Sequence, residues 1–306
     1  MSEDVTLTNL DQPLFEGATK RDLVEYLDAM HPQLLPVLRD RPLTVVRILR
    51  GQGPFMQKNL PKYTPEWVAS VKLWADSSQR EVRYALCNDH RTLLWFANQR
   101  AVEYHTALIP LSGHQTHLIM DIDPPEGGDF SVAVAGARLV REALRQCGLD
   151  GAVKTSGAKG LHIFVPIEPA PIEDVAAATR AVGARAERLD PEVATTAFLL
   201  EDRHGKVFLD STRAAGNTVI AAYSPRLRPG LPVSFPAGWD NLDGITPADF
   251  TVRNVPALLD GKDPWAEQMP EPQRLPADLV AEGHTIPIAR VAAMHEGKRR
   301  ARARRT

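Results

Sequence analysis

Asp121-Ile122-Asp123 is the sharpest local feature of the chain. Residues two apart in a strand point to the same face, so the two carboxylates converge. Such a pair repels itself when both members are ionised, and a hard divalent cation relieves the repulsion. Phosphoryl transfer uses carboxylates of this kind to hold two metals about 3.5–4 Å apart. A third acid, Asp210, ends the apolar run Val207-Phe208-Leu209 in the same way. Three strand-end acids are what a two-metal site needs. Arg213 and Arg226 follow soon after, in DSTR and YSPR, and either can meet triphosphate oxygens as a bidentate fork.

Between these acids lies TSGAKGLH, Thr155 to His162. Its glycines allow a tight turn with exposed N–H groups, which suits a phosphate nest. Ser156 offers a hydroxyl donor, Lys159 a point charge, and His162 a donor on the strand that follows. The G-x-x-x-x-G-K-[ST] pattern of a Walker A loop is absent.

The elements that must carry these residues are legible from periodicity. His117 to Ile122 is a short apolar run stopped by Pro124-Pro125, so it reads as a strand with acids at its C-terminal end. Phe130 to Cys147 has helical spacing and ends at Gly148. Leu161 to Ile167 reads as a strand with His162, Phe164 and Pro166 on one face. Ile172 to Leu189 reads as a second amphipathic helix, and Lys206–Leu209 and Thr218–Ala222 as two strands around a turn at Ala215-Gly216-Asn217. Upstream, Thr19 caps a helix beginning at Lys20; Leu43–Leu49 and Glu81–Leu86 are strands; Pro65 opens a short helix; Arg91–Arg100 is a buried helix. From Pro232 onward proline is dense, and short helices are expected near 247–260 and 287–295. This order gives an α+β fold with helices covering one side of a sheet.

Composition bounds the class. The chain has 306 residues, 43% hydrophobic and 24% charged, which is ordinary globular usage for one large domain or two intimate ones. No apolar stretch reaches 18 residues, and the acidic start Met1-Ser2-Glu3-Asp4 lacks a signal-peptide core. Cys87 and Cys147 are too few for a disulfide framework, so a reduced, cytoplasmic protein is expected. The net charge of −2 hides an asymmetry. Lys298 to Thr306 holds six basic side chains and no acid. A basic arm on an acidic body suits a polyanion partner, although a frayed solubilising tail has the same composition.

D-I-D-P, T-S-G-A-K-G-L-H, and F-L-D followed by A-A-Y-S-P-R together resemble the three motifs of the archaeo-eukaryotic primase superfamily. The likeness is strongest to the polymerase domain of bacterial ligase D, and runs from about Leu7 to about Trp265. It takes in L-T-N-L-D near the start, L-L-P-V-L-R-D-R-P-L-T at 34–44, G-P-F-M-Q-K at 53–58, and L-L-W-F-A-N with E-Y-H at 93–105. The resemblance implies a primase-type catalytic sheet flanked by helices, with an N-terminal α/β subdomain. Residues 1–115 would form that subdomain, 116–270 the catalytic core, and 271–306 a C-terminal segment with the basic tail, all in one integrated domain.

The resemblance also implies roles. Asp121, Asp123 and Asp210 would be catalytic metal ligands for two divalent ions, manganese or magnesium. Ser156, Lys159, His162, Arg213, Arg226 and His105 would hold the incoming nucleoside triphosphate. Phe55, Lys58 and Lys20 would contact DNA. The implied activity is a DNA repair primase-polymerase, a nucleotidyltransferase that adds nucleotides, ribonucleotides preferred, to primer 3′ ends at gaps or breaks in non-homologous end joining. Gapped or broken DNA, Ku and a separate DNA ligase would be its partners, and the protein would be a nucleoid-associated bacterial monomer. No ligase or nuclease sequence is fused here, so the reading is a stand-alone polymerase or an excised domain. A phosphate-binding lysine of the family is replaced by Gln12, so 5′-phosphate recognition is expected to be weaker. A D-x-D manganese-dependent glycosyltransferase and a non-catalytic DNA-end-binding protein remain as alternative classes.

Overall fold

A computed structural model describes residues 5–49, 51–75, 79–214 and 218–288, without the side chains of 213 and 214. Two six-stranded sheets organise it. The first runs Ala194–Thr195, Val207–Asp210, Gln115–Asp123, Leu161–Ala170, Ala152–Thr155, Pro236–Ala237. The second runs Thr218–Ile220, Ala101–Ala107, Leu43–Ile48, Arg80–Ala85, Ser70–Ala75, with Pro54–Gln57 paired to Leu43–Ile48.

The first sheet obeys a strict period of two. Leu118, Met120, Ile122, Leu161, Ile163, Val165, Val207 and Leu209 face one way into a core shared with the helices Phe130–Gln146 and Ile172–Leu189. These side chains are wholly buried, each worth about 1.5–3 kcal/mol relative to exposure. The intervening positions, Ile119, Asp121, Asp123, His162, Phe164 and Asp210, face the other way. There Ile119 and Phe164 pack with Val219 of the second sheet and Leu108 just past the end of Ala101–Ala107. Helices cover one side, as the sequence predicts, and the second sheet covers the other.

A larger core joins the N-terminal helices to the second sheet and to the proline-rich wrap, through Leu23, Leu27, Leu34, Phe96, Tyr104, Phe235 and Trp265 among others. The helix Lys20–Ala29 starts at the expected cap: Asp22 N–H donates to Thr19 Oγ1 (3.2 Å), and Asp22 Oδ2 accepts from Thr19 N–H (2.7 Å). His90–Asn98, Phe130–Gln146 and Ile172–Leu189 are helices as read.

Several expectations change. Pro65-Glu66-Trp67 forms a turn closed by Val68 N–H to Pro65 O (3.1 Å), not a helix. The run after it, Ser70–Ala75, pairs with Arg80–Ala85 as a strand. Val207–Asp210 and Thr218–Ile220 do not form a hairpin. The former joins the first sheet beside Gln115–Asp123, and the latter joins the second beside Ala101–Ala107. The turn expected at 215–217 lies outside the described residues. Near 247–260 there is a 3-10 turn, Pro247–Asp249, and a short helix, Val255–Leu259. Residues 287–288 are not helical, and 289–295 lie outside the described residues, as does the basic tail. The helix Ala277–Thr285, packed on Ile172–Leu189, went unread. No helix among the described residues is long and apolar enough to cross a membrane.

Candidate active site

Strand register builds the site. Asp121 sits opposite Asp210 on one side and opposite His162 on the other, and His162 in turn sits opposite Lys154. Directly paired residues share a face with Cβ atoms about 4.5–5.5 Å apart, so Asp210, Asp121, His162 and Lys154 form one transverse row. Asp123 adds a carboxylate one step along its strand. Asp121 and Asp210 are buried, at 5% and 8% exposure.

His162 Nε2 lies 3.1 Å from Asp121 Oδ1, and its Nδ1 lies 2.8 Å from Lys154 Nζ. Burial, reinforced by the Lys154 charge and opposed by Asp121, pulls the imidazole down to about 4. His117, beneath the second sheet, moves the same way, to about 3, through desolvation and the Arg41 charge. A histidine held below its unfolded value near 6.5 binds fewer protons folded than unfolded throughout that interval. The stability it contributes is complete above pH 6.5 and drains away as pH falls towards 4. Thermal melts from pH 7 to pH 4 should therefore show a steeper fall in Tm for the native chain than for His162→Gln. Parallel curves would refute the assignment.

The loop between Thr155 and Leu161 is organised by Ser156. Its Oγ accepts from Ala158 N–H (3.2 Å) and Gly160 N–H (3.1 Å). Gly157 has φ +68°, and a Cβ there would lie 2.6 Å from Arg226 Cγ. Gly160 passes so close to the Ile122 carbonyl that any Cβ would overlap it. These two glycines let the loop lie flat against the Asp-bearing strand.

A second network comes from Ala101–Ala107. Glu103 and His105 share a face, and Glu103 Oε2 lies 2.8 Å from His105 Nε2. Glu103 Oε1 accepts from Arg226 Nε (3.1 Å) and Leu227 N–H (2.9 Å), while Arg226 Nη1 donates to the Ser156 carbonyl (3.0 Å).

These parts meet in one cavity of about 250 Å³, lined by His105, Asp121, Asp123, Ser156, Lys159, His162 and Arg226 among others. Asp210 opens instead onto an adjoining groove of about 1100 Å³, which Lys58 also lines; Thr218 borders both. Phe55 lies beside that region on Pro54–Gln57, with the Arg47 guanidinium 5.7 Å from its ring centre. Lys20 is not brought here: it is buried, and its Nζ donates to Thr8 O and Asn98 Oδ1, both at 2.6 Å. Gln12 lines a separate hollow with Arg100. Arg213 lies in the 3-10 turn Ser211–Ala214, and its side chain is outside the described residues. The sequence reading missed Glu103, Lys154 and Ser234. The signals were present: E-x-H at strand spacing, and a lone lysine inside the apolar stretch Ala152-Val153-Lys154.

Among the described residues no three carboxylates or imidazoles converge on one point. Asp121 turns to His162, and Asp210 Oδ1 accepts from Thr212 N–H (2.8 Å) and Thr212 Oγ1–H (2.6 Å). The donor set nonetheless fits a hard divalent cation, because three carboxylates stand on adjacent positions of one sheet face.

The model of the family described as LigD, primase-polymerase domain, matches residues 19–265. The chain belongs to that family, a class of metal-dependent nucleotidyltransferases. It is 34% identical over 257 residues to the bifunctional non-homologous end joining protein LigD of Bacillus subtilis, covering 81% of this chain and 41% of that protein. It is 33% identical over 255 residues to the multifunctional non-homologous end joining DNA repair protein LigD of Mycobacterium tuberculosis, covering 78% and 33%. The chain thus spans less than half the length of these relatives. Its fold matches the polymerase domain of Mycobacterium tuberculosis ligase D in complex with DNA, with TM-score 0.79 and 31% identity over 86% of this chain and 97% of that one. The α+β architecture expected from the sequence is thus that of a solved ligase D polymerase domain.

Proposed function

We propose that the chain extends primer 3′ ends at DNA gaps or breaks, taking nucleoside triphosphates and preferring ribonucleotides. The observation that carries this reading is the convergence of Asp121, Asp123, His162, Lys159, Arg226 and His105 on one cavity, with Asp210 at the mouth of the adjoining groove. The cavity takes the triphosphate and the groove takes the DNA. Asp121, Asp123 and Asp210 hold two divalent ions, manganese or magnesium. Those ions, when bound, acidify the primer hydroxyl and neutralise charge on the phosphates. Lys159, exposed at the rim, and Arg226, anchored by Glu103 and the Ser156 carbonyl, draw in the triphosphate oxygens. His162 donates from Nε2.

The fold match to a DNA complex and the end-joining relatives support a role in break repair, with Ku and a separate ligase as partners. Lys58 on the groove suits a strand phosphate. Labelled-nucleotide extension of a gapped primer, with and without metal, tests the reading. Metal-dependent extension is expected, and none with any metal or sugar would overturn it. His162→Ala should raise the apparent KM for nucleotide by about tenfold with a smaller change in kcat, since a phosphate donor is removed while the carboxylates persist. An unchanged KM would remove His162 from the triphosphate site.

A further inference from the structure

Among the described residues Lys154 is the largest charged side chain that is wholly buried, and the site described above gives it no task. It sits on the short strand Ala152–Thr155, at the end of the transverse row opposite His162. Its Nζ donates to Ser234 Oγ (2.6 Å) and lies 2.8 Å from His162 Nδ1. Ser234 Oγ in turn donates to the Thr155 carbonyl (2.8 Å). The Phe164 ring closes the remaining side, 5.5 Å from the ammonium. Burying a lysine is costly unless its protons are all directed at acceptors, and here the acceptors are a hydroxyl and one particular imidazole nitrogen.

We propose that Lys154 is a positioning residue that locks His162 in the tautomer carrying its proton on Nε2, so that the imidazole presents a donor to the cavity. The assignment rests on the polymerase reading only for the identity of what His162 meets. The geometry at both ends of the ring agrees. An ammonium has protons and no lone pair, so Nδ1 must accept from it. An ionised carboxylate only accepts, so Nε2 must donate to Asp121. If Asp121 held a cation it would no longer hold the ring, and Lys154 would keep the donor aimed outward. Burial and the nearby Arg226 charge favour the neutral amine and Asp121 favours the ammonium; the lock belongs to the ammonium form, because a neutral amine has a lone pair that can accept from Nδ1–H. The same outer contact that fixes a metal-bound histidine's tautomer in other proteins is made here by a lysine rather than a carboxylate.

Long-range proton–nitrogen correlation of the imidazole nitrogens reads the tautomer directly, without any turnover. The chain has nine histidines, and the His162 signals are picked out by their absence in His162→Gln. The native chain at neutral pH should show the Nε2–H form. Asp121→Ala, which removes the carboxylate's influence, should keep it. Asp121→Ala/Lys154→Met should lose it, giving averaged nitrogen shifts. An Nδ1–H form in the native chain, loss of the lock in Asp121→Ala alone, or its survival in the double variant would each overturn the proposal. The first two readings stand even if the double variant fails to fold. In extension assays Lys154→Met should raise nucleotide KM by about tenfold while kcat changes less. A chain that shows the tautomer pattern but extends no primer would refute the polymerase reading and leave the Lys154 assignment intact.

Discussion

Replacing Asp121 or Asp123 with alanine is expected to abolish nucleotide incorporation while leaving DNA binding nearly intact. Both carboxylates lie on the sheet face that looks into the cavity, and Asp123 with Asp121 lines its wall. The adjoining groove proposed to take DNA is bordered by other residues, including Lys58, Trp74 and Tyr84. Loss of the clamp on a developing phosphoryl charge costs about 3 kcal/mol or more, which is over a hundredfold in rate. Removing one of the three neighbouring carboxylates relieves repulsion among them, which for Asp121 offsets part of the lost contact with His162. Single-turnover extension and a binding titration on the same gapped duplex separate the two effects. Near-native extension by either variant would remove the assignment of these acids to catalysis.

Glu103→Ala should produce the second large effect, although Glu103 faces no substrate in this scheme. Its carboxylate is the common anchor of His105, Arg226 and the Leu227 N–H. Burial pushes the carboxyl up, but the His105 hydrogen bond, the Arg226 charge and the Leu227 N–H outweigh it and hold it at about 2. The group therefore stays ionised through the whole neutral and mildly acid range, and its stabilising share is lost only as pH falls from about 4.5 towards 2. Without it, Arg226 keeps only the Ser156 carbonyl among the contacts described above. Removing one partner of a buried charged pair typically costs about 3–5 kcal/mol in stability. Freed of its anchor, the guanidinium should bind triphosphate more weakly, raising nucleotide KM by about tenfold or more. Glu103→Gln keeps the shape and one acceptor and should fall between. Native KM in Glu103→Ala would show that Arg226 is positioned without it.

The carboxylates were legible because each ends an apolar strand, and alternation alone puts Asp121 and Asp123 on one face. Asp210 was legible as a third strand-end acid, but not its place opposite Asp121, since nothing local says that Val207–Asp210 pairs with Gln115–Asp123 in that register. Pairing choices of that kind are made by the whole fold. The same limit explains the hairpin expected over 206–222: both runs are strand-like, but each finds its partner in a different sheet. Ser70–Ala75 was passed over because Leu73 and Trp74, which point to opposite faces, are both exposed, so the apolar–polar alternation that marks a half-buried strand is blurred. Lys154 was passed over because a lysine reads as surface by default, and only the three-dimensional row shows that it is enclosed. Lys20 was assigned outward for the same reason, and it turns inward because Thr8 O and Asn98 Oδ1 accept from it.

The strand Thr218–Ile220 completes a sheet whose other members all lie before residue 108. Until it arrives, Ala101–Ala107 has a bare edge of N–H and C=O groups on the side away from Leu43–Ile48, which is a template for self-association. During synthesis at about 5–20 residues per second, that edge waits roughly ten seconds for the segment that covers it. The N-terminal half is thus made first and finished late. A ribosome stall between residues 108 and 218, or a truncation there, should yield a sticky intermediate rather than a small folded domain.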